Sequence, residues 1–198
     1  MKYYLIAGEA SGDLHASNLM RELKKRDPQA DFRFWGGDLM QQQGGTLVKH
    51  YRDLAFMGFV EVLMNLRTIL GNLKACKADV AAYRPDALIF IDYPGFNLRI
   101  ADWAKKEGIP THYYISPQIW AWKQSRIHQI KRNVDHMYVI LPFEKDFYAK
   151  FDYDVRFVGH PLIDAIQQAE EEKPAFEVFT KKYGLDQEKS IIALLPGS

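Results

Sequence analysis

Asp92 is the residue of this sequence that is best placed to act as an acid or a base. It directly follows Ala87–Ile91, an entirely apolar run that predicts a buried β-strand. A carboxylate at the end of such a strand can be partly desolvated, which raises its pKa and suits it to general-base catalysis. Pro94 and Gly95 then predict a turn, and Asn97 is typical of a residue that caps a helix. The pattern fits an ordinary turn residue at Asp92 equally well, so both interpretations stay open.

A glycine-containing loop follows the first apolar run and opens a predicted helix. Gly8 and Gly12 would let the backbone approach a ligand, although the spacing matches neither a dinucleotide-binding nor a Walker loop. Glu9 and Asp13 would repel a phosphate, so a ligand rich in hydroxyl groups is the better expectation. The alternative is a tight turn in which Ser11 or Asp13 caps the helix.

A third candidate loop, after the predicted strand 111–115, combines aromatic and polar side chains. Aromatic faces with a few hydrogen-bond donors suit a sugar ring, and the cations that follow suit a phosphate. The tryptophans could instead fold back as a lid on the core. The candidate residues are Ser116, Gln118, Trp120, Trp122, Lys123 and Arg126.

Apolar runs typical of strands alternate with helix-length amphipathic segments along almost the whole chain. This alternation predicts an α/β fold, a doubly wound parallel sheet with helices on both faces. In such sheets ligands bind outside the carboxyl ends of the strands, which is where the three loops lie. The predicted strands cover residues 3–7, 32–35, 46–49, 87–91, 111–115, 136–140, 155–158 and 191–195.

Composition excludes several functional classes. The 198 residues carry 26 Lys and Arg against 25 Asp and Glu, and a net charge of +1 argues against a general nucleic-acid binder. The single cysteine, Cys76, excludes an internal disulfide and a multi-cysteine zinc site, and the histidine spacing predicts no metal site. No secretory signal or membrane-spanning run is found, so we expect a cytoplasmic chain.

The segment Leu54–Leu73 is unusually apolar, since Glu61 and Arg67 are its only charged residues. An ordinary helix with one buried face carries more polar residues than this. The segment is therefore either buried on most sides or in contact with lipid or another chain.

Taken together, the motifs resemble the lipid-A-disaccharide synthase family along the whole chain. They are G-E-A-S-G-D at 8–13, F-M-G-F-V-E-V-L at 56–63, I-D-Y-P-G-F-N at 91–97, S-P-Q-I-W-A-W-K at 116–123, L-P-F-E-K at 141–145, F-V-G-H-P-L at 157–162 and L-L-P-G-S at 194–198. The resemblance implies an inverting glycosyltransferase with two Rossmann-like domains (GT-B type). It further implies transfer of diacylglucosamine from its UDP derivative to the 6-hydroxyl of diacylglucosamine 1-phosphate, without a metal or other cofactor.

The resemblance also implies roles for individual residues. Asp92 matches the general base, and Gly95 stands where many members carry an acid, which leaves Asp92 the sole acid of its motif. The 8–13 loop, Asn97 and the 116–126 segment would contact the acceptor. The expected membrane and acyl-chain contacts are Phe56, Met57, Phe59, Val60, Val62, Leu63, Leu66, Ile69 and Leu70, which would place the protein on the inner face of the inner membrane of a Gram-negative bacterium.

The expected organisation is an acceptor-binding domain at 1–168, with 169–198 forming a linker helix and the first strand of a nucleotide-sugar domain. We expect these 198 residues alone to be inactive. A homodimer is one state that the full-length protein could adopt. Two alternatives stay open: another GT-B enzyme, such as a UDP-N-acetylglucosamine epimerase or a different sugar transferase, and a non-catalytic module that binds membranes.

Overall fold

The computed structural model describes residues 1–54, 66–171 and 173–194, without the side chains of Leu66 and Gln168. By its internal contacts the chain divides into two compact units, Met1–Gly159 and His160–Ser198. The boundary expected after residue 168 lies inside a helix of the second unit. It stays a prediction about the organisation of the protein.

The first unit is built on a parallel sheet, which confirms the predicted α/β class. Its strand order is β3-β2-β1-β4-β5-β6-β7, and every neighbouring pair is parallel. The strands are β1 (Lys2–Ala7), β2 (Asp31–Gly36), β3 (Thr46–His50), β4 (Ala87–Ile91), β5 (Thr111–Tyr114), β6 (His136–Val139) and β7 (Arg156–Phe157).

Helices connect the strands. They are α1 (Ala10–Arg26), α2 (Asp38–Gln42), α3 (Leu66–Tyr83), α4 (Pro94–Lys106), α5 (Ile119–Trp122), α6 (Ile127–Asn133) and α7 (Pro142–Ala149), with short 3₁₀ turns at Tyr51–Asp53 and Gln124–Arg126. Helix α3 continues unbroken through Gly71, because the cost of one glycine, about 1 kcal/mol, does not interrupt a helix that packs on a core.

Each face of the sheet has its own apolar core. Along β1 the alternate residues Tyr4 and Ile6 point into a core shared with α3, α4, α6 and α7. The intervening residues Tyr3, Leu5 and Ala7 point into a second core with α1 and α2. Burial on both faces explains why the strands read as continuous apolar runs in the sequence.

The strand order reverses direction between β1 and β4. Both strands run the same way, and their last residues, Ala7 and Ile91, are partners in the register. The loops that follow them therefore start side by side at the carboxyl edge of the sheet, the edge at which ligands usually bind in this class of fold.

Three local expectations from the sequence are wrong. Helix α1 begins at Ala10, so Ser11 and Asp13 lie in its first turn and neither caps it. Helix α4 begins at Pro94, because Tyr93 adopts a left-handed backbone conformation that turns the chain into the helix. Asn97 therefore lies inside the helix and does not cap it. The tryptophan segment expected to be a loop contains α5, a single helical turn.

The described residues of the second unit form two helices, α8 (Pro161–Glu171) and α9 (Phe176–Tyr183). The strand predicted at 191–195 is not formed over residues 191–194, and Leu195 lies outside the described residues. Ile192 and Leu194 are 90% and 87% exposed, so this apolar stretch has neither a strand partner nor a covering layer among the described residues. Isolated extended backbone gains no ladder hydrogen bonds, which is why no strand is present.

None of the helices in the described part of the chain has both the length and the apolar character required to span a bilayer.

Candidate active site

The main chain of Asp92 is fixed by three hydrogen bonds. Its carbonyl oxygen accepts from the Tyr113 hydroxyl at 2.6 Å and from the Asn97 amide at 2.7 Å. Its N–H donates to the carbonyl oxygen of Tyr114 at 3.1 Å. These partners come from α4 and β5, so two neighbouring elements hold the main chain of the residue.

These hydrogen bonds stabilise an unusual backbone, because Asp92 and Tyr93 both have a positive φ, +43° and +49°. Non-glycine residues in this region cost of order 1–3 kcal/mol each and persist where the surroundings enforce them. Such conformations concentrate at functional sites, where they aim a side chain that a regular strand or helix would point elsewhere. Here they turn the chain sharply from β4 into α4 and leave the Asp92 carboxyl group at the carboxyl edge of the sheet.

The pKa of the Asp92 carboxyl group is raised from 3.8 to about 6, first by burial and second by the negative charge of Glu9. A carboxylate with a pKa near neutrality is ionised at pH 7 and yet basic enough to accept a proton during a reaction. The structure therefore gives Asp92 the electrostatic environment of a general base.

The first glycine of the 8–13 loop allows a close approach of Tyr93. A Cβ atom at Gly8 would lie 2.4 Å from the ring of Tyr93, a distance no real contact reaches. The ring in turn stacks on Phe96 with 5.7 Å between centroids. Gly8 therefore lets the loops after β1 and β4 pack directly on each other. Gly12 lets the first turn of α1 approach the end of β1, since its Cβ would lie 3.2 Å from that of Ala7.

Asp13 is a buried structural residue in this arrangement. Its carboxylate accepts hydrogen bonds from the backbone N–H groups of Gly37 (2.8 Å), Leu39 (3.0 Å) and Met40 (3.1 Å). It thereby joins α1 to the beginning of α2, where a negative charge is favourable. Glu9 and Ser11 of the same loop are exposed.

Asp92 forms one wall of a cavity of about 290 Å³ that opens at the carboxyl ends of β4, β5 and β6. Of the residues expected from the sequence, Asp92, Ser116, Gln118, Trp122 and Arg126 line it together. The expected residues that do not line it are Gly8, Glu9, Ser11, Gly12, Asp13, Asn97, Trp120 and Lys123. The remaining lining residues are Pro94, Ile115, Pro117, Ile119, Ile140, Leu141 and Glu144.

Glu144 lines the cavity, although the sequence does not predict it as a site residue. It is buried, and its carboxylate accepts from the Ser116 hydroxyl (2.5 Å) and from the N–H groups of Ile140 (3.2 Å) and Leu141 (2.9 Å). It therefore fixes the loop after β5 to the start of α7. Its position three residues after Leu141, just inside a helix that starts with proline, signals a helix-capping glutamate, but not a cavity wall.

The two tryptophans have different surroundings. Trp120 is half-buried and packs edge-on against Phe143, with 5.0 Å between ring centroids. Trp122 is 67% exposed, and the Arg126 guanidinium lies 5.0 Å from the centre of its ring. The lid interpretation therefore describes Trp120, whereas Trp122 offers an open aromatic face to the cavity.

The expected membrane contacts fall mostly in residues that the structure does not describe. Phe56, Met57, Phe59, Val60, Val62 and Leu63 lie outside the described residues, as does the side chain of Leu66. Ile69 packs partly against the core, and Leu70 is 54% exposed on α3.

Comparison with known proteins relates this chain to a family. The family model described as lipid-A-disaccharide synthetase matches residues 3–198. The lipid-A-disaccharide synthases of Trichlorobacter lovleyi and Syntrophus aciditrophicus are each 44% identical over 194 residues, which is 98% of this chain and 50% of theirs. The chain thus spans about half the length of the curated relatives it matches.

Solved structures with the same fold include two UDP-GlcNAc 2-epimerases. The Neisseria meningitidis enzyme, bound to UDP-GlcNAc, has a TM-score of 0.65 at 11% identity and covers 91% of this chain and 52% of its own. The Methanocaldococcus jannaschii enzyme, in complex with UDP-GlcNAc and UDP, has a TM-score of 0.67 at 14% identity, with 92% and 54% covered. At such identities the likeness concerns the fold alone. The sequence relationship and the family model are what decide the assignment, and the chain belongs to the lipid-A-disaccharide synthetase family.

Proposed function

We propose that this chain carries the acceptor-binding part of an inverting glycosyltransferase. The full-length protein would transfer 2,3-diacylglucosamine from its UDP derivative to the 6-hydroxyl of 2,3-diacylglucosamine 1-phosphate, giving the β-1,6-linked lipid A disaccharide and UDP. The observation that carries the proposal is the carboxyl group of Asp92, with its pKa raised to about 6, which follows a strand at the switch point of the sheet and lines a cavity at the carboxyl ends of β4, β5 and β6.

Asp92 would act as the general base of a single displacement. Its carboxylate accepts the proton of the acceptor hydroxyl while that oxygen forms a bond to C1 of the donor sugar. The bond between C1 and the diphosphate oxygen breaks, and its electron pair leaves with UDP. One displacement inverts the configuration at C1, which converts an α-linked donor to a β-linked product. Proton transfer to a positioned base is typically worth 10²–10⁴-fold in rate.

The cavity volume supports a proposal in which the sugar ring of the acceptor lies inside the cavity and its acyl chains lie outside. About 290 Å³ is near the lower limit for small-molecule sites, which suits one sugar ring rather than a ring with its acyl chains. The acyl chains would then lie outside the cavity, against the apolar segment at 56–70 and the exposed Leu70. This arrangement would bring the protein to the cytoplasmic face of the inner membrane.

We assign residues 1–168 to the acceptor domain and place the UDP site mainly in the half of the relatives' length that this chain does not cover. The donor would reach Asp92 from that side. No metal or cofactor is required by the proposed chemistry, because the leaving diphosphate is already a weak base.

The test uses the full-length protein and follows UDP release with both lipid substrates. Asp92→Asn should lower kcat at least about 100-fold while vesicle binding stays unchanged. Asp152→Asn is the matched control, since Asp152 is an exposed aspartate with a similar backbone conformation (φ +53°) and should leave turnover intact.

Retention of transfer by Asp92→Asn would exclude the proposed base. Formation of a UDP sugar epimer by the wild type, without transfer, would favour an epimerase instead. A wild type that binds vesicles and turns over neither reaction would favour a non-catalytic module.

A further inference from the structure

The charged residues that line the cavity differ in how their charges are satisfied. Glu144 already accepts three hydrogen bonds from protein groups. Asp92 and Arg126 are the other charged residues of the wall, and neither forms a salt bridge with another described residue. The cavity therefore offers a ligand one basic carboxylate and one cation.

The cation is held in place by its surroundings. Arg126 ends the 3₁₀ turn Gln124–Arg126, which is anchored by the buried Ile127 at the start of α6. Its guanidinium lies 5.0 Å from the centre of the Trp122 ring, a geometry typical of a cation–π contact. Among the residues described by the structure, no carboxylate lies within salt-bridge distance of it.

Lys123, the other cation of this segment, has different surroundings. It is exposed and does not line the cavity. The sequence predicts both cations as phosphate-binding residues, but of the two only Arg126 lines the cavity. Only Arg126 is positioned to meet a group that enters the cavity.

We propose that Arg126 binds the phosphate of the acceptor and so orients the sugar with its free hydroxyl toward Asp92. The inference rests on the proposed function, which supplies an acceptor that has a hydroxyl at one end of the ring and a phosphate at the other. A guanidinium matches phosphate oxygens with two parallel N–H donors, and the stacked indole limits its motion. The Asp92 carboxylate repels the phosphate, so the two opposite charges of the wall together favour one orientation of the ring.

The test compares two acceptors in the full-length protein: diacylglucosamine 1-phosphate and diacylglucosamine without the phosphate. The wild type should show a kcat/KM at least about 10-fold higher for the phosphorylated acceptor, as expected for a charge-assisted hydrogen bond. Arg126→Gln should remove most of this preference by lowering kcat/KM for the phosphorylated acceptor alone. Arg126→Lys should restore part of it, and Lys123→Gln should leave it unchanged.

Several results would overturn the inference. If Arg126→Gln lowers kcat/KM equally for both acceptors while the protein stays folded, Arg126 only shapes the loop. If the preference survives in Arg126→Gln or disappears in Lys123→Gln, the phosphate is bound elsewhere. A wild type that uses both acceptors equally refutes this inference and leaves the proposed function intact, whereas a wild type that uses neither refutes both.

Discussion

Replacing Asp92 by Asn should make the protein more stable at neutral pH, although it removes the proposed base. In the folded protein, burial and the charge of Glu9 raise the pKa of Asp92 to about 6, whereas an unfolded chain has the ordinary value near 3.8. The folded state therefore binds the proton more tightly than the unfolded state. The free energy of unfolding then falls as the pH rises from about 4 to about 6, and the loss is complete above the folded pKa.

The size of the effect follows from the same two values. Because one pKa unit corresponds to about 1.4 kcal/mol, ionised Asp92 costs the folded state up to about 3 kcal/mol above pH 7. Solvent reaches part of the side chain and screens its charge, so we expect about 1–2 kcal/mol. Asparagine also tolerates the positive φ at this position, which keeps the backbone of the site unchanged.

Urea unfolding of wild type and Asp92→Asn, followed by tryptophan fluorescence between pH 4 and pH 8, measures the difference directly. The variant should gain stability over the wild type as the pH rises, with little difference at pH 4. A difference that is independent of pH would refute the electrostatic reasoning. A wild type that is the more stable of the two at pH 8 would refute it as well.

Three further predictions concern other residues. In the full-length protein, kcat/KM should rise with pH around a midpoint near 6, because Asp92 must be ionised to accept a proton. Glu9→Gln should move that midpoint to lower pH, because it removes a negative charge that raises the pKa of Asp92. An unchanged midpoint would mean that Glu9 has no electrostatic influence on Asp92. Gly108→Ala should destabilise the fold by about 1 kcal/mol, since φ is +69° there, whereas Gly71→Ala inside α3 should stabilise it by about 0.5–1 kcal/mol. Thermal melts of the two variants check the opposite signs, because neither new Cβ would meet a described atom within 4 Å. Asp79→Asn should lower the free energy of unfolding by about 2–3 kcal/mol, because the carboxylate accepts two hydrogen bonds from one arginine and one from a tyrosine. Urea unfolding measures the change, and a loss below about 0.5 kcal/mol would show that solvent replaces these partners.

The parallel sheet could be predicted from the sequence because its signal is local. Strands that are covered on both faces need apolar side chains at every position, and Ala87–Ile91 shows this within five residues. The same strand ends at a carboxylate, so the position of Asp92 at the ligand-binding edge followed from the fold class.

The roles of Asp13 and Asn97 could not be predicted because their partners are distant in the sequence or depend on an unusual backbone. Asp13 accepts from N–H groups that lie more than twenty residues further along the chain. Asn97 donates to the Asp92 carbonyl oxygen because two consecutive residues with positive φ start the helix early. Residue type alone suggests a helix cap at both positions, and only the tertiary contacts decide otherwise.

Glu144 illustrates a further limit. A glutamate is rarely buried, and its charge favours an exposed position on a helix. Its burial depends on the Ser116 hydroxyl, which comes from a loop almost thirty residues earlier. Such a pairing has no signature in either segment by itself.

In the described part of the chain, the cavity is lined by one continuous stretch. The described lining residues all fall between Asp92 and Glu144, within the consecutive strand–helix repeats that contain β4, β5 and β6. Under the proposed function, recognition of the sugar and phosphate of the acceptor could therefore change through exchange of this one segment between relatives, whereas the acyl-chain contacts proposed at 56–70 would stay unchanged. A chimaera that receives residues 87–149 from another family member should acquire the headgroup selectivity of its donor and keep its own acyl-chain selectivity, so the two selectivities can evolve separately.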